Sequence, residues 1–144
     1  MTVFADSSAL VKLYADEPNA EHIRAIETFV ASALIRVEVP SALWRKCRMG
    51  EFTTADARRL IDEFEVDFFG SVDTAPRFVS IAPTPPILDS AAHLCAVHGL
   101  RAYDSVQLSS ALAVRDADAG CHEFAAFDTQ LRDAAAAEGF QLVP

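Results

Sequence analysis

The sequence predicts an α/β fold built on a five-stranded parallel sheet, and three observations carry that expectation. Five short apolar runs alternate with helix-patterned segments, as they do where parallel strands are joined by helical crossovers. The five glycines, at positions 50, 70, 99, 120 and 139, each follow a predicted helix, where a left-handed closing residue is wanted. Four carboxylates, Asp6, Glu38, Asp104 and Asp128, stand where a strand is expected to hand over to a helix. In a parallel sheet those handovers share one edge, and ligand crevices open there.

Taken in order, TVFAD at the start reads as a buried strand, and SSALVKLYAD as a helix capped by Ser7 or Ser8. Glu17-Pro18-Asn19 interrupts the pattern. AEHIRAIETFV then resumes helical spacing at Ile23, Ile26 and Val30. ASALI is the second predicted strand. RVEVPSALWRKCRMG follows as a helix in which Pro40 is tolerable only near the first turn, which places Glu38 at the helix start. Phe52 and Thr53 open the next helix, with Leu60, Ile61, Phe64 and Phe68 as its apolar stripe. FVSIA is the third strand, and Thr84-Pro85 starts a helix that runs to His98. RAYDSVQLSSALAVRDAD is a helix with Asp104 near its start, HEFAAF a strand, TQLRDAAAAE a helix and FQLV the closing strand. No linker or repeat divides the chain, so residues 1–144 are expected to form one domain.

The 144 residues are 51% hydrophobic and 23% charged, which suits a packed globular domain and argues against disorder. No apolar run has bilayer length and no basic segment precedes one, so no membrane association and a cytoplasmic location are expected. Cys47, Cys95 and Cys121 cannot all pair, in keeping with a reducing compartment, and their spacing to histidines matches no structural zinc pattern. Every glycine is used to close a helix, which leaves none for a phosphate-cradling loop or a dinucleotide fingerprint.

The four acids point to hard divalent cations. Two carboxylates about 4 Å apart repel by roughly 4 kcal/mol at an effective dielectric near 20. Mg²⁺ or Mn²⁺ relieves such a cluster, lowers the pKa of a bound water and stabilises the attacking and leaving oxygens of a phosphodiester. The net charge of −9 is unusual for a nucleic-acid enzyme, but basic residues are concentrated in one window. Arg36, Arg45, Lys46, Arg48, Arg58 and Arg59 fall there, and the first four are candidates for RNA contact.

ADSSALVKLY followed closely by EP, RVEVPSALWR, RAYDSVQLSSAL and AFDTQL together resemble PIN-domain ribonucleases, and among them the VapC-type toxins of bacterial toxin–antitoxin pairs. The resemblance runs from about residue 2 to residue 143. It implies a three-layer α/β/α fold and Mg²⁺- or Mn²⁺-dependent endoribonuclease activity, with Asp6, Glu38, Asp104 and Asp128 as catalytic metal ligands and Ser7 in support, orienting a metal-bound water. It also implies a cognate VapB-type antitoxin, a homodimer and an RNA substrate such as tRNA. Phe64, Phe68 and Phe69 read as core residues, with a partner or dimer surface as the alternative. The chain departs from the pattern at Ala126, two residues before the last acid, where the family often carries Thr or Ser. A phosphoacceptor domain would need a late lysine, whereas the two lysines are Lys12 and Lys46; a haloacid-dehalogenase-type phosphatase would need an acid at position 8, which is serine. The remaining alternative is a PIN-like module that binds RNA or protein without cutting.

Overall fold

The computed structural model describes residues 2–144. Its strands are β1 (Thr2–Ala5), β2 (Thr28–Ser32), β3 (Phe78–Ile81), β4 (Glu123–Ala125) and β5 (Gln141–Val143). They form one parallel sheet in the order β3-β2-β1-β4-β5. The helices are α1 (Ser7–Leu10), α2 (Ala20–Arg24), α3 (Ile35–Arg48), α4 (Thr54–Phe69), α5 (Pro85–His98), α6 (Ala102–Ala117) and α7 (Thr129–Ala137). None is long and apolar enough to cross a membrane.

Alternation along the strands builds two cores, one on each side of the sheet. Val3, Ala5, Phe29 and Ala31 pack with Leu10, Ile35, Val39, Leu43 and Phe64 from α1, α3 and α4. Phe4, Val30 and Phe124 face the other way and meet Leu94, Leu108, Leu131 and Phe140. Helices on both faces give the expected three layers. Successive strands step outward from β1 in one direction through β2 and β3, then continue on its other side through β4 and β5. That reversal opens a crevice at the carboxyl ends of β1 and β4.

Several local expectations differ from the structure. The stretch Thr28–Val30, expected to continue a helix, belongs to β2. Its apolar residues fit helical spacing, but a strand buried on both faces shows no distinguishing alternation. The first helix is capped by Asp6, not by Ser7 or Ser8, and after Leu10 it tightens into a 3₁₀ turn over Val11–Leu13. α3 begins at Ile35, next to the expected start, and Pro40 lies inside it, beyond the first turn. A proline there has no N–H to offer the Arg36 carbonyl one turn back. Gly120 does not take the left-handed conformation, whereas Gly50, Gly70, Gly99 and Gly139 have positive φ. Phe64 and Phe68 agree with the core expectation, Phe64 buried and Phe68 packed against it, whereas Phe69 is substantially exposed.

α4 is well delimited by its sequence. Thr53 accepts from the Asp56 N–H while Asp56 accepts from the Thr53 N–H, a reciprocal cap. At the other end Gly70 has φ 75° and ψ −177°, a region open essentially to glycine alone. A Cβ there would lie 2.7 Å from the Thr74 carbonyl oxygen. Gly70→Ala is therefore expected to lower stability by at least about 2 kcal/mol, measured by chemical denaturation.

Candidate active site

Asp6 follows β1 directly. Its backbone N–H donates to the Ala125 carbonyl on the neighbouring strand at 3.1 Å, and its side chain caps α1. Oδ1 accepts from Ser8 Oγ at 2.7 Å and from the Ala9 N–H at 3.1 Å. The carboxyl is thus fixed at the sheet edge by the residues that start the first helix, and it is only 3% exposed. Burial raises its pKa from 3.8 to about 7, overcoming the two hydrogen bonds that favour the charged form; the charges of Glu38 and Asp104 push it further upward.

Glu38 lies in the first turn of α3. Gln107 Nε2 donates to its Oε1 at 2.7 Å, and Ser7 Oγ donates to its Oε2 at 3.1 Å. Burial raises its pKa, the two donors oppose the rise, and Asp104 adds to it. Asp104 stands in the first turn of α6 and Asp128 caps α7, accepting from the Leu131 N–H at 3.0 Å. Asp104 reaches the groove differently from the sequence expectation: it follows the α5–α6 connection, not a strand. Burial raises its pKa and Asp128 adds to the rise, while Arg101 acts against it.

These four carboxylates, brought in by four separate elements, line one groove of about 660 Å³. Ser7, Ser8, Lys12, Arg45, Lys46, Arg101, Tyr103 and Phe127 share its walls. The donor set is entirely oxygen, the set that Mg²⁺ and Mn²⁺ prefer. The charges of Glu38 and Asp104 raise the pKa of Asp6, and that of Asp104 raises the pKa of Glu38, a penalty that a divalent cation removes. Among the described residues no three such side chains converge into a ready-made metal centre. An open arrangement suits Mg²⁺, which keeps several waters when bound by proteins. The site residues therefore fit such an ion chemically.

Four participants were not anticipated from the sequence. Ser8 braces Asp6 and also accepts from the Phe127 N–H at 2.9 Å, tying the β1 end to the β4 end. Gln107 is fully buried beneath Glu38, and its Oε1 has no partner. Its position three residues after Asp104, on the same helix face, was the available signal. Arg101 brings a basic side chain among the acids: its Nε lies 3.5 Å from Asp104 and its Nη2 3.8 Å from Asp128. Lys12 is buried, with its ammonium 2.9 Å from Glu17 and 4.3 Å from the Phe127 ring centre.

The basic window is divided by the fold. Lys46 pairs with Glu17 and Glu51, so its charge is already engaged. Arg45 lines the groove, Arg36 lies over the exposed Phe69 ring at 4.8 Å, and Arg48 is exposed near the end of α3. Ala126 is fully buried, and its carbonyl accepts from Arg132 Nη1 at 2.7 Å; there is no hydroxyl here to orient Asp128. All three cysteines are free, and His98 faces Glu138 at 2.8 Å.

The PIN domain family matches residues 3–137, nearly the whole chain. The chain belongs to the PIN-domain family. Within this PIN domain the similarity is also close to curated proteins: Ribonuclease VapC45 of Mycobacterium tuberculosis (strain CDC 1551) and Ribonuclease VapC49 of strain H37Rv. Each is 32% identical over 146 residues, spanning 99% of this chain and 94% of the relative. The parallel sheet and its two helical layers agree with that membership.

The buried amide under Glu38 makes a specific prediction for this PIN domain. Gln107→Leu removes the stronger donor to Glu38 together with an acceptor that has no partner, so folding should change little. Where such a carboxylate holds a metal, losing its orienting hydrogen bond typically costs about 10–100-fold in metal affinity or activity. Glu38 should ionise at higher pH, moving the acid limb of a pH–rate profile for RNA cleavage upward. An unmoved limb would show that Gln107 does not tune this carboxylate.

Proposed function

We propose that this PIN domain is a metal-dependent endoribonuclease and the toxin of a toxin–antitoxin pair. The observation that carries the reading is the meeting of Asp6, Glu38, Asp104 and Asp128 in one groove, with Asp6 buried and no cation beside Asp6 or Glu38 among the described residues. A pure binding module has no use for acids held at such an electrostatic cost. The mycobacterial relatives are named ribonucleases, which supports the RNA-cleaving part of this reading.

Asp6, Glu38 and Asp104 are the residues that would hold Mg²⁺ or Mn²⁺, with Asp128 completing the set directly or through water. The ion would supply Lewis acidity toward the phosphodiester and lower the pKa of a water for in-line attack. The protein's part is positional. Ser8 and the Ala9 N–H fix Asp6, Ser7 and Gln107 fix Glu38, and the α7 N-terminus fixes Asp128. Ser7 is thereby assigned a role in orienting the Glu38 carboxylate. Of the two basic-window residues that line the groove, Lys46 is paired with Glu17 and Glu51, which leaves Arg45. A single RNA strand fits a groove bearing the exposed Arg45 and Arg101 and the exposed Tyr103 ring. tRNA, a VapB-type antitoxin and a homodimer are part of the same reading.

Incubating the purified, antitoxin-free chain with total cellular RNA tests the activity. Cleavage should require Mg²⁺ or Mn²⁺, stop with EDTA and return when the metal is restored. Cleavage that survives chelation would overturn metal dependence. For the partner, co-expression with the neighbouring small open reading frame should yield a co-purifying complex in which cleavage is suppressed.

A further inference from the structure

We propose that Arg101 is a resident counter-cation of the groove, released when the acids take a divalent ion and then free to anchor a phosphate of the RNA strand. The inference rests on the metal-site reading above and adds a coupling between metal occupancy and substrate binding.

One guanidinium spans two carboxylates that come from different elements. Arg101 is the residue before α6, Asp104 lies in its first turn, and Asp128 precedes α7. The Nε of Arg101 is 3.5 Å from Asp104 Oδ2 and its Nη2 is 3.8 Å from Asp128 Oδ2. The arginine therefore occupies the outer pair of acids, while the inner pair is held by neutral donors only: Ser8 and the Ala9 N–H on Asp6, Ser7 and Gln107 on Glu38.

The contact is loose. Charge-assisted N–H···O bonds are typically about 2.7–2.9 Å long, and both distances exceed that range. The Arg101 side chain is 78% exposed. Asp104 and Asp128 are 16% and 38% exposed, but the long distances and the exposed guanidinium leave both pairs weak and screened by salt, so a divalent cation can displace the arginine at small cost.

Released, the guanidinium remains at the groove mouth beside Tyr103. Of the cations lining the groove, Lys12 is tied to Glu17, and Lys46 to Glu17 and Glu51. Arg45 and Arg101 are the two without a short ion pair among the described residues, and Arg101 is the one in contact with the acids. The planar fork of arginine suits a phosphate as well as it suits a carboxylate. Exchanging Asp104 and Asp128 for the substrate backbone therefore needs only a side-chain rotation.

The test compares wild type, Arg101→Gln and Arg101→Lys, each checked for folding by thermal melting. Calorimetric titration with Mn²⁺ should show roughly fivefold tighter binding by Arg101→Gln, the scale of one lost competing exposed pair. Arg101→Lys, which keeps the charge, should stay near wild type. Anisotropy with a nuclease-resistant phosphorothioate single-stranded RNA should show that Mn²⁺ strengthens RNA binding in wild type, and that Arg101→Gln loses most of this gain. Equal or weaker Mn²⁺ binding by Arg101→Gln would overturn the competition, and an undiminished gain in RNA affinity would overturn the anchoring role. A wild type that binds Mn²⁺ but cuts no RNA would defeat the ribonuclease reading while the Mn²⁺ comparison still decides Arg101. A wild type that binds no Mn²⁺ overturns both.

Discussion

Asp6→Asn should remove RNA cleavage and at the same time make the protein more stable at neutral pH. The activity loss follows from taking a charge out of the centre of the proposed metal set. Groups that merely orient metal ligands contribute about 10–100-fold, so losing a central ligand should cost more than about 100-fold. The stability gain follows from the raised pKa of Asp6. Below pH 3.8 the carboxyl is protonated in folded and unfolded chains alike, and the substitution changes little. Between 3.8 and about 7 the folded chain keeps a proton that the unfolded chain has released, so stability falls as pH rises. Above about 7 the full penalty stands, up to about 4 kcal/mol, and asparagine does not incur it. Asparagine caps a helix as well as aspartate does, and its Oδ1 can accept from the same two donors. Thermal melts should thus separate most at pH 8, with the variant higher, and converge near pH 4. Added Mn²⁺ should raise the wild-type melting temperature and leave that of the variant nearly unchanged.

The largest loss of stability is expected at Phe124. It is fully buried in β4, its ring stacks on that of Phe4 at 5.5 Å and 17°, and Phe140 meets it at 5.5 Å. Phe4 and Phe124 are also register partners, so the stack spans the β1–β4 seam that ends in Asp6 and leads to Asp128. Phe124→Ala leaves a cavity between sheet and helices and forfeits both aromatic contacts, at about 3–5 kcal/mol. For a chain of this size that corresponds to a melting temperature lower by roughly 10–15 °C. A drop of only a degree or two would mean that the second core does not stabilise this seam. Asp6→Asn and Phe124→Ala therefore differ in kind: one removes function from a sturdier protein, the other weakens the platform beneath an intact set of acids.

The contrast reflects how the chain encodes its architecture. All five strands could be read because each is a short apolar run bounded by turn residues, and a parallel sheet follows once helices separate them. The bounds of β2 could not be read, because Ile23, Ile26 and Val30 satisfy helical spacing and burial on both faces erases the alternation that marks a strand. The four acids were visible through their places at the starts of helices, and the fold brings them to one groove. Their supporting contacts were less visible. Ser8 looked like an alternative cap for the first helix, and only the chain path shows that it joins Asp6 to Phe127. Arg101 stands three residues from Asp104 in the sequence, yet its span to Asp128 depends on the approach of α6 to α7. The pairing of Lys12 and Lys46 through Glu17 likewise joins residues whose proximity no local pattern announces.

Side-by-side cleavage of total RNA by wild type and Asp6→Asn, at pH 7.5 with Mn²⁺, bears most directly on the proposal that the acidic groove is a metal-dependent ribonuclease centre. Because the variant is expected to melt higher than wild type, an inactive variant cannot be dismissed as unfolded. Wild type should fragment the RNA in a Mn²⁺-dependent manner and Asp6→Asn should leave it intact. Equal cleavage by both proteins, or none by a folded, antitoxin-free wild type, would contradict the account.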